Sequence, residues 1–215
     1  MAGFGNLQRK RAASRNEQGG AAAVDVFLNV PYDRDFGDLF PAYIAGLTAL
    51  GLFSRATLDI AGGERGLDRI FELIQRCRYS VHDLSRVEVD ARPPATPRFN
   101  MPFELGLAVA WQKAQPQGHT WFVFEAKQRR IEKSLSDLGG TDVYIHHGRP
   151  AGLFSELSNA FVRPQRQPSV DQMKLVYIGL REGLPKLMRN AGTKSIFKAR
   201  VFSELRVLAR ALSAQ

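Results

Sequence analysis

Residues 67–85 read LDRIFELIQRCRYSVHDLS, and the spacing of their apolar residues changes once along the way. Leu67, Ile70, Phe71, Leu73 and Ile74 recur at the interval of one helix face. After Cys77 the run YSVHDL, 79–84, is a short strand that ends on Asp83. Helix leading to strand is half of a crossover unit, and the flanks repeat it. Upstream, VDVFLNV (24–30) predicts a buried strand, PYDRDFGD a loop, LFPAYIAGLTALG (39–51) a helix stopped by Gly51, and FSRATLDI (53–60) a second strand before the turn AGGERG. Downstream, a polar, Pro-rich loop reaches residue 99, a helix covers about 101–114, and HTWFVFEA (119–126) is the clearest strand in the chain. KQRRIEKSLSDLGG reads as a polar helix, DVYIHH (142–147) as a strand, and AGLFSELSNAFV as a closing helix. Strand and helix alternating in this way call for a parallel sheet covered on both faces, joined by right-handed crossovers.

Beyond RPQRQPS the pattern changes, with two helical segments at 170–189 and 195–213 and no strand. Pro185 is expected to kink or end the first. The organisation is therefore a tail over 1–23, an α/β domain over 24–162 and a helical extension over 163–215. The tail is rich in Gly, Ala, Arg and Asn without a period and reads as disordered. Net charge follows the same division, +3, −2 and +8 in turn. Basic ends suit nucleic acid, an anionic surface or an acidic partner, and Arg163, Arg166, Lys174, Lys186, Arg189, Lys194, Lys198 and Arg200 supply them. A solvated helix face is the plainer reading. The apolar residues Leu175, Val176, Ile178, Leu180, Leu184 and Leu187 need a surface to cover. The domain itself or a second copy of the chain offers one.

One cysteine, Cys77, leaves no intramolecular disulfide, and a cytoplasmic location is the simplest expectation. No stretch approaches the roughly 18 apolar residues of a membrane span, and no apolar segment follows the basic N-terminus as a secretory signal requires. His146 and His147 are adjacent and face opposite sides of a strand, which defeats a shared metal site. His82 reads as packed, and AGGERG lacks the Lys-Ser/Thr of a phosphate-binding loop.

Ligands of open α/β sheets bind beyond the carboxyl ends of the strands. Tyr32 and Asp33 leave the first strand there, and Asp83 ends the third. PRFNMPFELGLAVAWQ, 97–112, puts Glu104 near the start of a mostly apolar helix. The free N–H groups and dipole of a helix start favour an ionised carboxylate. Carboxylates so placed suit chemistry at a sugar C1, where bond cleavage leaves an oxocarbenium-like carbon to be stabilised or attacked.

At these residues the chain resembles a family. VFLNVPYD, LDRIFELIQRCRYSVHDLS and RFNMPFELGLAVA look like the nucleoside 2-deoxyribosyltransferase-like proteins and their bacterial TIR-like relatives, over roughly 24–160. The resemblance implies a flavodoxin-like sheet of order near 2-1-3-4-5 and a catalytic role for Glu104, with Asp83 facing the substrate and Tyr32 and Asp33 approaching sugar or base. In the transferases the matching glutamate attacks the sugar C1; in TIR-type NADases it is needed to cut the nicotinamide–ribose bond. Arg98 stands where the transferases carry an acid or amide, and Phe103 where they carry a tyrosine. An arginine at the mouth, beside Asn100, suits a phosphorylated substrate. The expectation is N-glycosidic cleavage of NAD or a nucleotide, with no cofactor or metal and with an antiphage role activated by assembly. A nucleoside 2-deoxyribosyltransferase and a non-catalytic module for a nucleotide signal or a protein partner are the alternatives.

Overall fold

The computed structural model describes residues 23–60, 66–90, 93–162 and 167–214. The tail through residue 22, most of AGGERG, Arg163 and Arg166 lie outside the described residues.

Strand β1 (Val24–Asn29) leads through a loop into helix α1 (Leu39–Ala49), and β2 (Leu52–Arg55) into α2 (Gly66–Arg76). Strand β3 (Tyr79–Asp83) is followed by a small antiparallel hairpin, β4 (Val89–Asp90) and β5 (Thr96–Pro97), inside the Pro-rich loop. Then come α3 (Asn100–Ala114), β6 (Thr120–Glu125), α4 (Arg130–Ser134), β7 (Val143–Ile145) and α5 (Pro150–Ala160), with α6 (Val170–Asn190) and α7 (Ala199–Ser213) closing the chain. Five strands form one parallel sheet in the order β2-β1-β3-β6-β7. This is the flavodoxin-like α/β arrangement, with a C-terminal helical pair added.

Pleat decides which side chains meet which helices. Val26, Leu28, Val81 and Phe124 pack with α1, α5 and the C-terminal helices. Phe27 packs on the other side with Leu73 and Ile74 of α2 and Ala108 of α3. Helix α1 buries every residue from Leu39 to Leu47. A helix apolar all round needs cover all round, and α6 and α7 supply it on the side away from the sheet. Val176, Leu180 and Leu184 of α6 and Val201, Phe202 and Leu205 of α7 belong to the same core as α1. Most of the stripe that called for a partner is thus covered within the chain, while Leu175 and Ile178 stay exposed.

Several local expectations change. Gly51, at φ 71°, ends α1 as its left-handed conformation allows. The second strand stops at Arg55, because the Asp59 carboxylate accepts from the Ala56 N–H at 3.1 Å and turns the chain into a 3-10 helix over Thr57–Asp59. The polar helix after β6 shortens to Arg130–Ser134, because Arg130 turns inward to the buried Glu125 and to the Ser85 carbonyl at 2.7 Å. Pro185 does not end α6; Leu184 is buried and Leu187 and Met188 pack on the core beyond it, so docking holds both halves.

Arg206 joins α7 to the far side of the fold. It donates to both Asp59 oxygens, at 3.0 and 2.6 Å, and to the Ser54 carbonyl at 2.9 Å, with its guanidinium over the rings of Phe53 and Phe202. Arg206→Ala leaves the largely buried Asp59 carboxylate without its partner and should cost about 3 kcal/mol, the low end for a broken buried pair. Arg200→Ala, which breaks an exposed pair with Glu204 one helix turn away, should cost no more than about 0.5 kcal/mol. Urea denaturation of both variants checks the contrast.

Candidate functional site

The sheet order places its switch point between β1 and β3, since the chain leaves β1 for β2 on one side and returns to β3 on the other. A cleft of about 1200 Å³ opens there. Its walls come from the loop after β1, the turn after β2, the start of α2, the residue Arg86 after β3 and the segment 96–104. Tyr32, Asp33, Arg98, Asn100 and Glu104 all line it. Asp83 does not.

Asp83 differs from the sequence expectation for a simple reason. It ends β3, but its side chain points to the α1 face of the sheet, opposite Glu104. There it is fully buried. The Tyr43 hydroxyl donates to it at 2.7 Å and the Ser85 N–H at 2.9 Å. His146 completes the set: the Gly148 N–H donates to its Nδ1 at 3.0 Å, so Nε2 carries the hydrogen and donates to Asp83 at 3.0 Å. Asp83 therefore ties α1, β3 and the loop after β7 together and is not presented to a ligand.

Glu104 also differs from expectation. It is the fifth residue of α3, so it sits in the second turn, where the helix dipole has faded. Only 8% of the residue is exposed. Burial pushes its carboxyl up from an ordinary 4.5 to about 7, and a hydrogen bond from Asn29 draws it partly back. Glu104 is thus poised between its acid and its carboxylate near neutral pH, where the sequence suggested a settled carboxylate.

Tyr32 stands on the facing wall. Its hydroxyl lies 3.1 Å from Thr57 Oγ1, and its ring packs against Phe40 and Phe197. Burial raises its phenol to about 12, and the Glu104 charge adds to the rise, so Tyr32 stays a neutral donor. Phe197 belongs to the connection between α6 and α7, which makes the C-terminal helices a backing for this wall. Asp33 lines the cleft as a clasp. Its Oδ1 accepts from the Phe36 N–H at 3.2 Å, and its Oδ2 accepts from Arg86 at 3.1 Å and Arg98 at 2.8 Å. Those bonds fix the loop after β3 and the approach to α3 against the loop after β1.

Three lining residues went unread in the sequence. Arg86 and Arg69 bring positive charge to the cleft beside Arg98. Asn29 was readable in principle, as the one polar residue in the second half of VDVFLNV, at the strand's carboxyl end. Among the described residues no group of three His, Cys, Asp or Glu is placed to hold a metal ion, and no helix is long and apolar enough to cross a membrane. No family model matches the chain, and no curated protein is similar to it in sequence.

The raised carboxyl of Glu104 has a consequence for stability. Between pH 4.5 and about 7 the unfolded chain has lost this proton while the folded chain keeps it. Stability therefore falls as pH rises through that window, and the penalty is complete above pH 7. Glu104→Gln should stabilise the fold at pH 8 by about 2–3 kcal/mol, with the gain gone near pH 4. Denaturation midpoints of the two proteins at both pH values test this.

Proposed function

We propose that the chain cleaves the N-glycosidic bond of NAD or a related nucleotide, with Glu104 as the carboxylate at the sugar C1. The observation that carries the reading is the juxtaposition in one cleft of a half-neutralised, buried glutamate and three arginines, Arg69, Arg86 and Arg98. Arginine matches phosphate oxygens with paired N–H donors. The cleft lies at the switch point, where nucleotides bind in open α/β folds.

NAD suits this carboxyl for an electrostatic reason. Its nicotinamide ring is cationic, and a cation beside Glu104 favours the ionised form. When the C1–N bond breaks, its electron pair goes to the ring nitrogen and nicotinamide leaves neutral, so no general acid is required. The positive charge moves to C1 and the ring oxygen of the ribose. Glu104 stabilises that cation or bonds to it. Water then adds to C1 and releases a proton. Tyr32, held neutral, is a donor for a ribose oxygen. Asn100 lines the same wall as Arg98 and serves substrate placement. The wider role that goes with the reading is depletion of a nucleotide pool in antiviral defence, set off by self-assembly.

A non-catalytic nucleotide-binding module is favoured by one observation: Arg86 and Arg98 are both paired with Asp33, which thereby holds no ligand group of its own. Transfer of 2-deoxyribose between bases is the third reading. It is set back by Phe103, which brings no hydroxyl and points away enough to be exposed.

Incubation with NAD, NADP, deoxynucleosides and nucleotides at low and high protein concentration, followed by chromatography, separates the three. Base release from NAD or a nucleotide that falls at least about a hundredfold in Glu104→Ala supports glycosidic cleavage. Base exchange among deoxynucleosides supports transfer, and binding without release at any concentration supports the module. If NAD is cleaved, kcat/KM should rise with pH about a midpoint near 7, since that ratio follows the free enzyme.

A further inference from the structure

Behind Glu104, on the α2 and α3 side of the sheet, lies a row of buried polar side chains that the proposed reaction does not use. Cys77 O, His119, Ser80, His82 and Asn29 are linked one to the next. The direction of every bond in the row follows from its fixed end. A backbone carbonyl only accepts, so His119 Nδ1, 2.9 Å from the Cys77 oxygen, carries a hydrogen. Burial lowers the pKa of His119, so the ring is neutral and its Nε2 is bare. The Ser80 hydroxyl donates to that nitrogen at 2.9 Å. Having spent its one hydrogen, Ser80 Oγ accepts from His82 Nε2 at 2.9 Å. Burial pushes His82 down to about 3, so its Nδ1 is bare in turn. Asn29 Nδ2 donates to it at 3.0 Å. The amide nitrogen of Asn29, not its oxygen, is thereby fixed on the inner side, and Asn29 lines the same cleft as Glu104, whose carboxyl it draws down.

We propose that Asn29 is a positioning residue for Glu104, with its amide orientation locked by a one-way hydrogen-bond chain through His82 and Ser80 to His119. A fully satisfied buried network is rigid, and each member constrains the next. The chain gives a carboxyl on a half-apolar wall a fixed N–H donor, which limits its rotation and sustains its ionised form. Two buried neutral histidines, His82 within β3 and His119 just before β6, acquire a purpose on this account: each converts a donor on one side into an acceptor on the other. The charged groups that face the same cleft are Asp33, Arg69, Arg86 and Arg98, with the Tyr32 phenol on the loop wall. None of them belongs to the chain, so substitutions inside it leave those influences in place. That Glu104 does chemistry rests on the function proposed above; that it is held by Asn29 does not.

Nuclear magnetic resonance of the whole chain, with 15N-labelled histidine and 13C-labelled glutamate, tests the proposal without any substrate. In the wild type His82 should show the Nε2–H tautomer and His119 the Nδ1–H tautomer. Glu104 should titrate near 7. Asn29→Ala should raise the Glu104 midpoint by about one pH unit, the worth of one ordinary hydrogen bond. Ser80→Ala should raise it less, although Ser80 does not touch Glu104. Asn29→Asp puts an acceptor against His82 and should switch that ring to its Nδ1–H tautomer. A wild-type His82 protonated at Nδ1 overturns the proposal even if every variant fails to fold. An unmoved Glu104 midpoint in folded Asn29→Ala overturns it as well. If the protein releases no base from any nucleotide yet shows these tautomers and shifts, the positioning stands and the proposed reaction falls.

Discussion

Helix α1 has no polar face, and much of the architecture follows from that. Its inner side meets the central strands, and its outer side would expose Leu and Phe side chains to water if the chain ended at α5. The two C-terminal helices remove that surface. Once docked there, they reach the functional end of the sheet by two routes. Phe197 packs on Tyr32. Arg206 grips Asp59 in the short turn whose Thr57 meets the Tyr32 hydroxyl. What reads in sequence as an appended basic segment is therefore an outer helical layer of the domain, and it backs one wall of the cleft.

A second constraint is the alternation of side chains along β1 and β3. It separates two polar systems that lie within a few residues of each other. Asp83 and its donors face α1, where they fasten the carboxyl end of the sheet. Asn29 and His82, paired in register, face α3 and Glu104. The same short strand thus carries a structural carboxylate on one face and the support of a cleft carboxylate on the other. Three donors reach Asp83. Glu104 is left with little beyond Asn29, and burial raises its carboxyl.

The fold was legible because its signals are local. Each strand of the sheet is a short apolar or β-branched run, each crossover carries a helical period, and Gly51 stops α1 where only a left-handed residue fits. Tyr32, Asp33 and Glu104 were legible as cleft residues because the carboxyl ends of parallel strands define one edge, and Arg98 and Asn100 through the resemblance alone. A place at a strand end does not say which face a side chain takes: parity turns Asp83 toward α1, while His82, one residue earlier, points to the α2 and α3 side. Arg86 and Arg69 were passed over because nothing local distinguishes a cleft arginine from a solvated one. Phe197 and Arg206 act on residues more than a hundred positions away, and no pattern in the nearby sequence announces such a contact.

The covering of α1 also has a history during synthesis. Residues 39–47 leave the ribosome more than a hundred residues ahead of the side chains that shield their outer face, which run from Met173 to Ala209. Through that interval an apolar helix waits for partners that do not yet exist. Domains fold as units as they emerge, and exposed apolar surface in the interval is the usual route to aggregation. The order of elements along the chain thus sets a time of vulnerability that the finished fold no longer displays.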